Sequence, residues 1–148
     1  MQIWVDADAC PVVVKDILFR AAKRWQKSLT LVANQMLYTP PSPLIKAVQV
    51  PRGFDVADDY IVQHVSAGDL VITGDIPLAA QLVEKEAHVL SPRGERFTAD
   101  NIGERLSIRN MLEEMRGAGV ETGGPAAFSS SDQREFANAL DRLMVKLI

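Results

Sequence analysis

The sequence predicts an α/β protein: a three-layer α/β/α sandwich with a mostly parallel central sheet and additional helices at the C-terminus. Short apolar runs alternate with helical patterns through residues 1–98, and this alternation is typical of β-α-β units and a parallel sheet. After that point the patterns are helical only. A length of 148 residues suits one domain. We therefore expect one domain with an α/β core over 1–98 and a helical extension over 99–148.

Five runs of apolar and β-branched residues predict the strands. They are QIWV (2–5), LTLVAN (29–34), KAVQV (46–50), DLVIT (69–73) and HVLS (88–91). The segment TPPSP (39–43) between the second and third runs contains three prolines, which neither a helix nor a strand accommodates. It is therefore predicted to be a loop.

Apolar residues at helical spacing predict a helix after each of three strands and two more in the extension. The first begins after Pro11, because proline suits the start of a helix. The second runs from Val56 to Ser66, and the third follows Asp75. In the extension, helices are predicted within 101–119, ending at glycines, and over 133–147.

Composition and charge exclude several classes of protein. A net charge of −3 and a pI of about 5.4 argue against a histone-like positive surface, although a local basic rim would still allow nucleic acid as a substrate. No apolar run reaches the ~18 residues of a membrane span, and the first residues form a strand rather than a signal peptide. The single Cys10 excludes an internal disulfide and a thiolate zinc site. We expect a cytoplasmic protein with no membrane segment.

Carboxylates from three segments are predicted to meet at one edge of the sheet, outside the carboxyl ends of the strands. Asp6 and Asp8 follow the first strand and share a face if the chain stays extended. Asp75 follows the fourth strand, and Asp55 and Asp58 lie three residues apart on one helical face. Two carboxylates ~5 Å apart repel by roughly 3 kcal/mol at an effective dielectric constant of ~20. A proton, a basic side chain or a metal ion must offset that repulsion.

A cluster made only of carboxylate oxygens favours Mg²⁺ or Mn²⁺. Two such ions ~4 Å apart activate a water molecule and stabilise the leaving oxygen in phosphodiester cleavage, without a histidine or cysteine nucleophile. This chemistry predicts metal-dependent hydrolysis of phosphodiester bonds, with nucleic acid as the substrate. Simpler interpretations exist, because Asp75 can cap a helix and Asp55, Asp58 and Asp59 suit the positive end of one.

Arginines at the same edge are candidates for binding the substrate. Arg52 and Arg93 follow the third and fifth strands, where an arginine can hold a phosphate with two hydrogen bonds. Solvated loop arginines are the alternative interpretation. Periodic basic residues on the first and fourth helices suit either a rim that follows a nucleic-acid backbone or a charged solvent face. The helical extension also offers a surface to a partner or to a second copy in a homo-oligomer.

Three motifs, VDADACPV, the DVAD near position 55 and DLVITGDIPLA, together resemble the YaiI/YqxD family of small bacterial proteins. The match continues through PRGERFTADNI, IRNMLEEMR and GGPAAFSSSDQREFANALD, so it covers nearly the whole chain. That family is similar to the PIN-like nucleases, whose sheet carries an acidic Mg²⁺- or Mn²⁺-binding site and whose characterised members cut RNA or DNA.

The resemblance implies that Asp6, Asp58 and Asp75 are metal ligands and catalytic residues. It also implies that Asp8 and Asp55 are auxiliary ligands or groups that orient water. Asp58 is preferred to the adjacent Asp59 because it shares a face with Asp55. Many PIN-like sites hold a further helical glutamate, which has no counterpart in this sequence.

Two other functions remain open at this stage. A strand followed by DxD also resembles the haloacid-dehalogenase phosphatases, in which the first aspartate attacks phosphorus and the second acts as acid and base. In this chain Cys10 stands where that family prefers Thr or Val. The other alternative is a non-catalytic PIN-like module that binds RNA or protein.

Overall fold

A computed structural model describes residues 1–124 and 126–147 of the chain. Strands and helices alternate in the first part, and two long helices follow. The elements are β1 (Ile3–Asp6), α1 (Val12–Trp25), β2 (Leu29–Ala33), β3 (Ile45–Gln49), α2 (Val56–His64), β4 (Leu70–Ile72), α3 (Ile76–Glu84), β5 (His88–Leu90), β6 (Arg96–Phe97), α4 (Ile102–Gly117) and α5 (Ser130–Leu147). None of the helices in these ranges combines the length and the apolar character needed to cross a membrane.

The six strands form one sheet in the order β3-β2-β1-β4-β5-β6. All neighbours are parallel except β5 and β6, which pair antiparallel with Leu90 opposite Arg96. The predicted α/β fold with a mostly parallel sheet is confirmed. The strand order reverses between β1 and β4, because the chain adds β2 and β3 on one side of β1 and returns to its other side for β4. In such sheets the crevice at the reversal is where ligands bind.

Two apolar clusters cover the two faces of the sheet and give the sandwich its three layers. Ile3 and Val5 of β1 belong to one cluster, which also contains buried residues of α1 and α5. Trp4, between them, belongs to the other cluster together with buried residues of α2 and α3. This division follows from the alternation of side chains along a strand.

The two helices of the predicted extension pack in different ways. The helix α5 lies beside α1 and contributes Phe136, Leu140, Leu143 and Met144 to the core. The helix α4 packs against α3 and contains no fully buried residue. Thus α5 completes a layer of the sandwich, whereas α4 lies on its outside.

Asp69, for which no role was predicted, connects the loop before β4 to β1 through hydrogen bonds. Its side chain is buried, with Oδ1 accepting a hydrogen bond from the Gln2 amide at 2.9 Å. Its Oδ2 accepts from Trp4 Nε1 at 3.1 Å and from the Ser66 amide at 2.9 Å. Three donors from two segments are therefore satisfied by one carboxylate, which fixes how β4 enters the sheet beside β1.

Candidate functional site

The carboxyl ends of β1 and β4 are joined by the hydroxyl group of Thr73. Asp6 is the last residue of β1, and its Oδ2 accepts a hydrogen bond from Thr73 Oγ1 at 2.9 Å. Thr73 Oγ1 in turn accepts from the Asp75 amide at 3.0 Å. Thr73 is buried and was not among the predicted site residues, although its place directly before Gly74 and Asp75 at a strand end was a usable signal. The hydroxyl thus orients Asp6 towards the segment that carries Asp75.

Asp75 caps α3, as one interpretation of the sequence proposed. Its Oδ1 accepts a hydrogen bond from the Leu78 amide at 3.0 Å, and Pro77 lies in the first turn. A cap of this kind satisfies one of the free amides at a helix start and holds the carboxylate in a fixed position. Capping and a role in the site are compatible, because a carboxylate has two oxygens and about four acceptor positions.

Asp58 on α2 approaches the same place from a third element. Burial, as the largest cause, and the negative charges of Asp75, Asp6 and Asp55, in that order, together raise the pKa of Asp58 to about 7. A hydrogen bond with the Asp75 side chain contributes as well. The neighbouring Asp59 is exposed. The carboxyl group of Asp58, which is half-buried, therefore belongs electrostatically to the group formed by Asp6 and Asp75.

Burial and neighbouring charges also shift the pKa of Asp6. Burial raises the pKa of Asp6, the hydrogen bond from Thr73 lowers it, and the charges of Asp75 and Asp8 raise it again. Among the described residues, no arginine, lysine or histidine forms an ion pair with Asp6, Asp58 or Asp75. A basic side chain therefore does not offset the repulsion between these carboxylates, which leaves a proton or a metal ion to do so.

The donor chemistry of this group suits a hard divalent ion, but its present geometry does not form a complete ligand cage. Within 1–124 and 126–147, no set of three or more Asp, Glu, His or Cys side chains is arranged to hold a metal ion. Asp6, Asp58 and Asp75 would supply only oxygen atoms, which Mg²⁺ and Mn²⁺ prefer. Mg²⁺ commonly keeps several water ligands, so these residues fit an ion that is held partly through water.

Asp8 and Asp55 lie at the margin of the group. The strand β1 ends at Asp6, so the alternation expected for Asp8 does not extend to it. Both Asp8 oxygens accept from the Asn34 amide, at 2.9 and 3.2 Å, and this ties the loop after β1 to the end of β2. Asp55 is exposed directly before α2, in a left-handed conformation (φ 61°), and its side chain makes no capping hydrogen bond. Each acts on the group through its charge.

A cleft of about 680 Å³ opens beside Asp6 and Asp75. Arg93 lines it, and its Nη1 donates to Asp132 Oδ2 at 3.0 Å. Its Nη2 donates to the carbonyl oxygen of Ala126, and its guanidinium carbon lies 5.8 Å from the ring centre of Phe128. Arg93 therefore holds the segment before α5 at the cleft.

Two further arginines differ in whether they reach this cleft. Arg52 is exposed in the turn after β3 and does not line this cleft. Arg105 of α4, which was not singled out as a substrate-binding residue, does line it. The basic residues of this helix suited either a rim along a nucleic-acid backbone or a solvent face, and it is the packing of α4 against α3 that brings Arg105 to the cleft.

Cys10 lies close to this site in sequence but takes no part in its chemistry. The thiol is buried, and burial raises its pKa to about 12. A thiol with such a pKa stays protonated at neutral pH and is a poor nucleophile or ligand.

The fold and the site define a doubly wound α/β protein with carboxylates grouped where the strand order reverses. The chain belongs to the YaiI/YqxD family, since the model described as "Uncharacterized BCR, YaiI/YqxD family" matches residues 4–146. The resemblance found in its motifs is thereby confirmed.

Bacterial relatives match the chain from end to end. A UPF0178 protein of Bordetella petrii is 77% identical over 145 residues, which cover 98% of this chain and 97% of the relative. A UPF0178 protein of Bordetella avium is 68% identical over 146 residues, covering 99% and 95%. A UPF0178 protein of Dechloromonas aromatica is 62% identical over 147 residues, covering 99% and 98%.

Proposed function

We propose that this protein is a cytoplasmic, metal-dependent nuclease of the PIN-like kind, which hydrolyses phosphodiester bonds, with RNA rather than DNA as the expected substrate. One observation carries the proposal. Asp6, Asp58 and Asp75 come from three different elements to the point where the strand order reverses, and within the described part of the chain no basic side chain forms an ion pair with them. A single cysteine, without a partner for a disulfide, suits the reducing cytoplasm.

Asp6, Asp58 and Asp75 would hold Mg²⁺ or Mn²⁺, with Asp55 and Asp8 adding negative charge nearby. When bound, such an ion supplies a more acidic water molecule and stabilises charge on the leaving oxygen. The chain's own contribution is to fix the carboxylates before the substrate arrives. Thr73 orients Asp6, and the first turn of α3 orients Asp75. In the metal-free site the pKa of Asp58 is about 7, so this carboxyl group would have to lose its proton before it could hold the ion, and ion binding would release a proton near neutral pH.

A phosphatase with Asp6 as nucleophile is less well supported. In that mechanism the second aspartate of DxD donates a proton to the leaving group beside the first. Here both oxygens of Asp8 accept hydrogen bonds from the Asn34 amide, which draws this carboxylate towards the end of β2. This contact favours the nuclease over the phosphatase.

The test is cleavage of a labelled single-stranded RNA by the purified protein in Mn²⁺ or Mg²⁺. Asp6→Asn should lower the rate about 100-fold or more, because replacing even groups that only support metal ligands costs 10–100-fold. Asp59→Asn is the matched control, since it removes an exposed aspartate next to Asp58 and should leave the rate within about twofold.

Three outcomes would contradict the nuclease. Equal cleavage by wild type and Asp6→Asn would show that the activity lies elsewhere. RNA binding without cleavage at every Mg²⁺ and Mn²⁺ concentration would indicate a non-catalytic binding module. Hydrolysis of p-nitrophenyl phosphate without RNA cleavage would indicate a phosphatase.

A further inference from the structure

We propose that the cleft beside Asp6 and Asp75 binds one nucleotide of a single-stranded RNA, with Arg105 contacting a backbone phosphate and Phe128 stacking on the base. This inference rests on the proposed nuclease function and assigns residues to the part of the substrate next to the reacting phosphate. From the sequence, Arg105 was left open between a rim along a nucleic-acid backbone and a solvent face, and Phe128 was not singled out.

The size of the cleft and the arginines in it suit a nucleotide. Its volume of about 680 Å³ lies within the range of ~300–1,000 Å³ that is usual for ligand sites. Three carboxylates, those of Asp6, Asp75 and Glu95, line it together with the guanidinium groups of Arg93 and Arg105. A polyanion is repelled by carboxylates alone, so arginines in the same cleft are what allows a phosphate backbone to approach them.

Arg105 has unused capacity to donate hydrogen bonds. Its Nη2 donates to Glu95 Oε1 at 3.0 Å, and its Nε is buried with no hydrogen-bond partner among the described residues. A guanidinium group carries five N–H donors and matches a phosphate with two parallel hydrogen bonds. The Arg105–Glu95 pair is partly exposed, and ion pairs of this kind are weak, so Glu95 can yield to a phosphate.

Arg93 is already committed to the protein itself. Its two terminal nitrogens donate to Asp132 and to the carbonyl oxygen of Ala126. Those contacts hold the segment that carries Phe128, whose ring also lines the cleft. We therefore infer that Arg93 positions Phe128, whereas Arg105 contacts the substrate.

Phe128 supplies the apolar surface that a base requires. It is half-buried and packs against the core cluster, and the Arg93 guanidinium carbon lies 5.8 Å from the centre of its ring. Bases of every kind stack on aromatic rings, and stacking gives affinity for single strands with little sequence preference. The expected ligand is therefore a flexible single strand, because the base must leave its pairing partner to reach the ring.

The experiment measures RNA binding apart from cleavage. Full-length protein with Asp6→Asn is titrated with a fluorescent eight-nucleotide single-stranded RNA, and binding is followed by anisotropy over a range of salt concentrations. Adding Arg105→Gln should weaken binding about tenfold and lower the slope of log K against log salt by about 1. Adding Phe128→Leu should weaken binding about fivefold or more, with the slope unchanged.

The chain offers a closely matched control pair one turn further along α4. Arg109 pairs with Glu113 at 3.3 Å, is as exposed as Arg105, and does not line this cleft. Arg109→Gln should change affinity by less than about twofold. Glu95→Gln releases Arg105 from its ion pair and should strengthen RNA binding, whereas Glu113→Gln should leave RNA binding unchanged. Loss of a merely structural contact would not produce this contrast.

The outcomes separate this inference from the proposed function. Equal affinities for Arg105→Gln and Arg109→Gln would overturn the inference, even if wild-type protein cleaves RNA in an Asp6-dependent way. Absence of RNA binding by every variant would overturn it as well. If RNA binding depends on Arg105 but the wild-type protein never cleaves RNA, the cleft would stand as an RNA-binding site and the proposed nuclease function would be contradicted. Melting temperatures measured alongside show whether each variant is folded.

Discussion

At the scale of single residues, Asp58 has the most unusual environment in the site. Burial and the charges of Asp75, Asp6 and Asp55 hold its pKa at about 7, against 3.8 for an ordinary aspartate. The folded state therefore binds this proton more tightly than the unfolded state does. By linkage, the resulting stabilisation is fully present below about pH 4 and is lost as the pH rises through 7.

Asp58→Asn should remove this dependence on pH, because asparagine resembles the protonated carboxyl group at every pH. With a chelator present, we expect similar melting temperatures for wild type and variant near pH 4. At pH 8 the variant should melt about 2–4 °C higher, which corresponds to about 1 kcal/mol in a chain of this length. The expected difference in stability is small because the carboxyl group of Asp58 is partly exposed to solvent.

The measurement is thermal unfolding followed by circular dichroism between pH 4 and pH 8. Asp59→Asn, which changes the exposed neighbour on the same helix, is the matched control. A difference between Asp58→Asn and wild type that stays constant over this range would show that Asp58 does not bind its proton more tightly in the fold.

At the scale of elements, the junction between the loop after β5 and the start of α5 positions one wall of the cleft. Ser129 and Asp132 exchange hydrogen bonds at the helix start, with the Asp132 amide donating to Ser129 Oγ and the Ser129 amide to Asp132 Oδ2. Asp132 also accepts from Arg93, and these contacts lower the pKa of its carboxyl group, that from the Ser129 amide most strongly. The start of α5 and the loop after β5 therefore stabilise each other's position.

Gly94 allows the loop after β5 to approach α5 closely. Its φ is +90°, and a Cβ atom there would lie 2.7 Å from the backbone carbon and oxygen of Glu135 in α5. Gly94→Ala should therefore lower the free energy of unfolding by about 2 kcal/mol, from strain in the backbone and displacement of α5. Urea denaturation measures this change.

The control is Gly103→Ala in the first turn of α4, where a Cβ atom would meet nothing within 4 Å. It should leave stability unchanged or raise it by up to about 1 kcal/mol, because alanine favours the helix. If the two alanine variants had the same stability, the close approach at Gly94 would not be required.

At the scale of the whole molecule, α5 and the α/β core should unfold together. Leu140 of α5 is 1% exposed and belongs to the same apolar cluster as Ile3 and Leu31 of the sheet. Leu140→Ala should lower the free energy of unfolding of the entire protein by about 2–5 kcal/mol. The exposed Val145→Ala on the same helix should cost less than about 0.5 kcal/mol.

Urea unfolding followed by both tryptophan fluorescence and circular dichroism tests this expectation. Coincident transitions from the two methods, shifted together in Leu140→Ala, would indicate one cooperative unit. A separate early transition of helical signal in that variant would instead indicate a C-terminal unit that unfolds independently of the sheet.

The sequence by itself determined the number and order of the long elements. Apolar spacing is a local property, so five strands and five helices could be read from it, with ends displaced by one to three residues in most cases. The strand β6 was missed because two residues are too few to show alternation. The family could also be recognised, because its motifs are short and lie in a fixed order.

Only the tertiary structure decided which side chains act together. Asp69 joins donors on Trp4 and Ser66, and Arg105 reaches the cleft through the packing of α4 on α3, so neither contact has a local signature. The raised pKa of Asp58 likewise arises from burial and from charges on β1 and α3. Hydrophobic periodicity acts between near neighbours along the chain, whereas hydrogen bonds and charges act through space, between residues that only folding brings together.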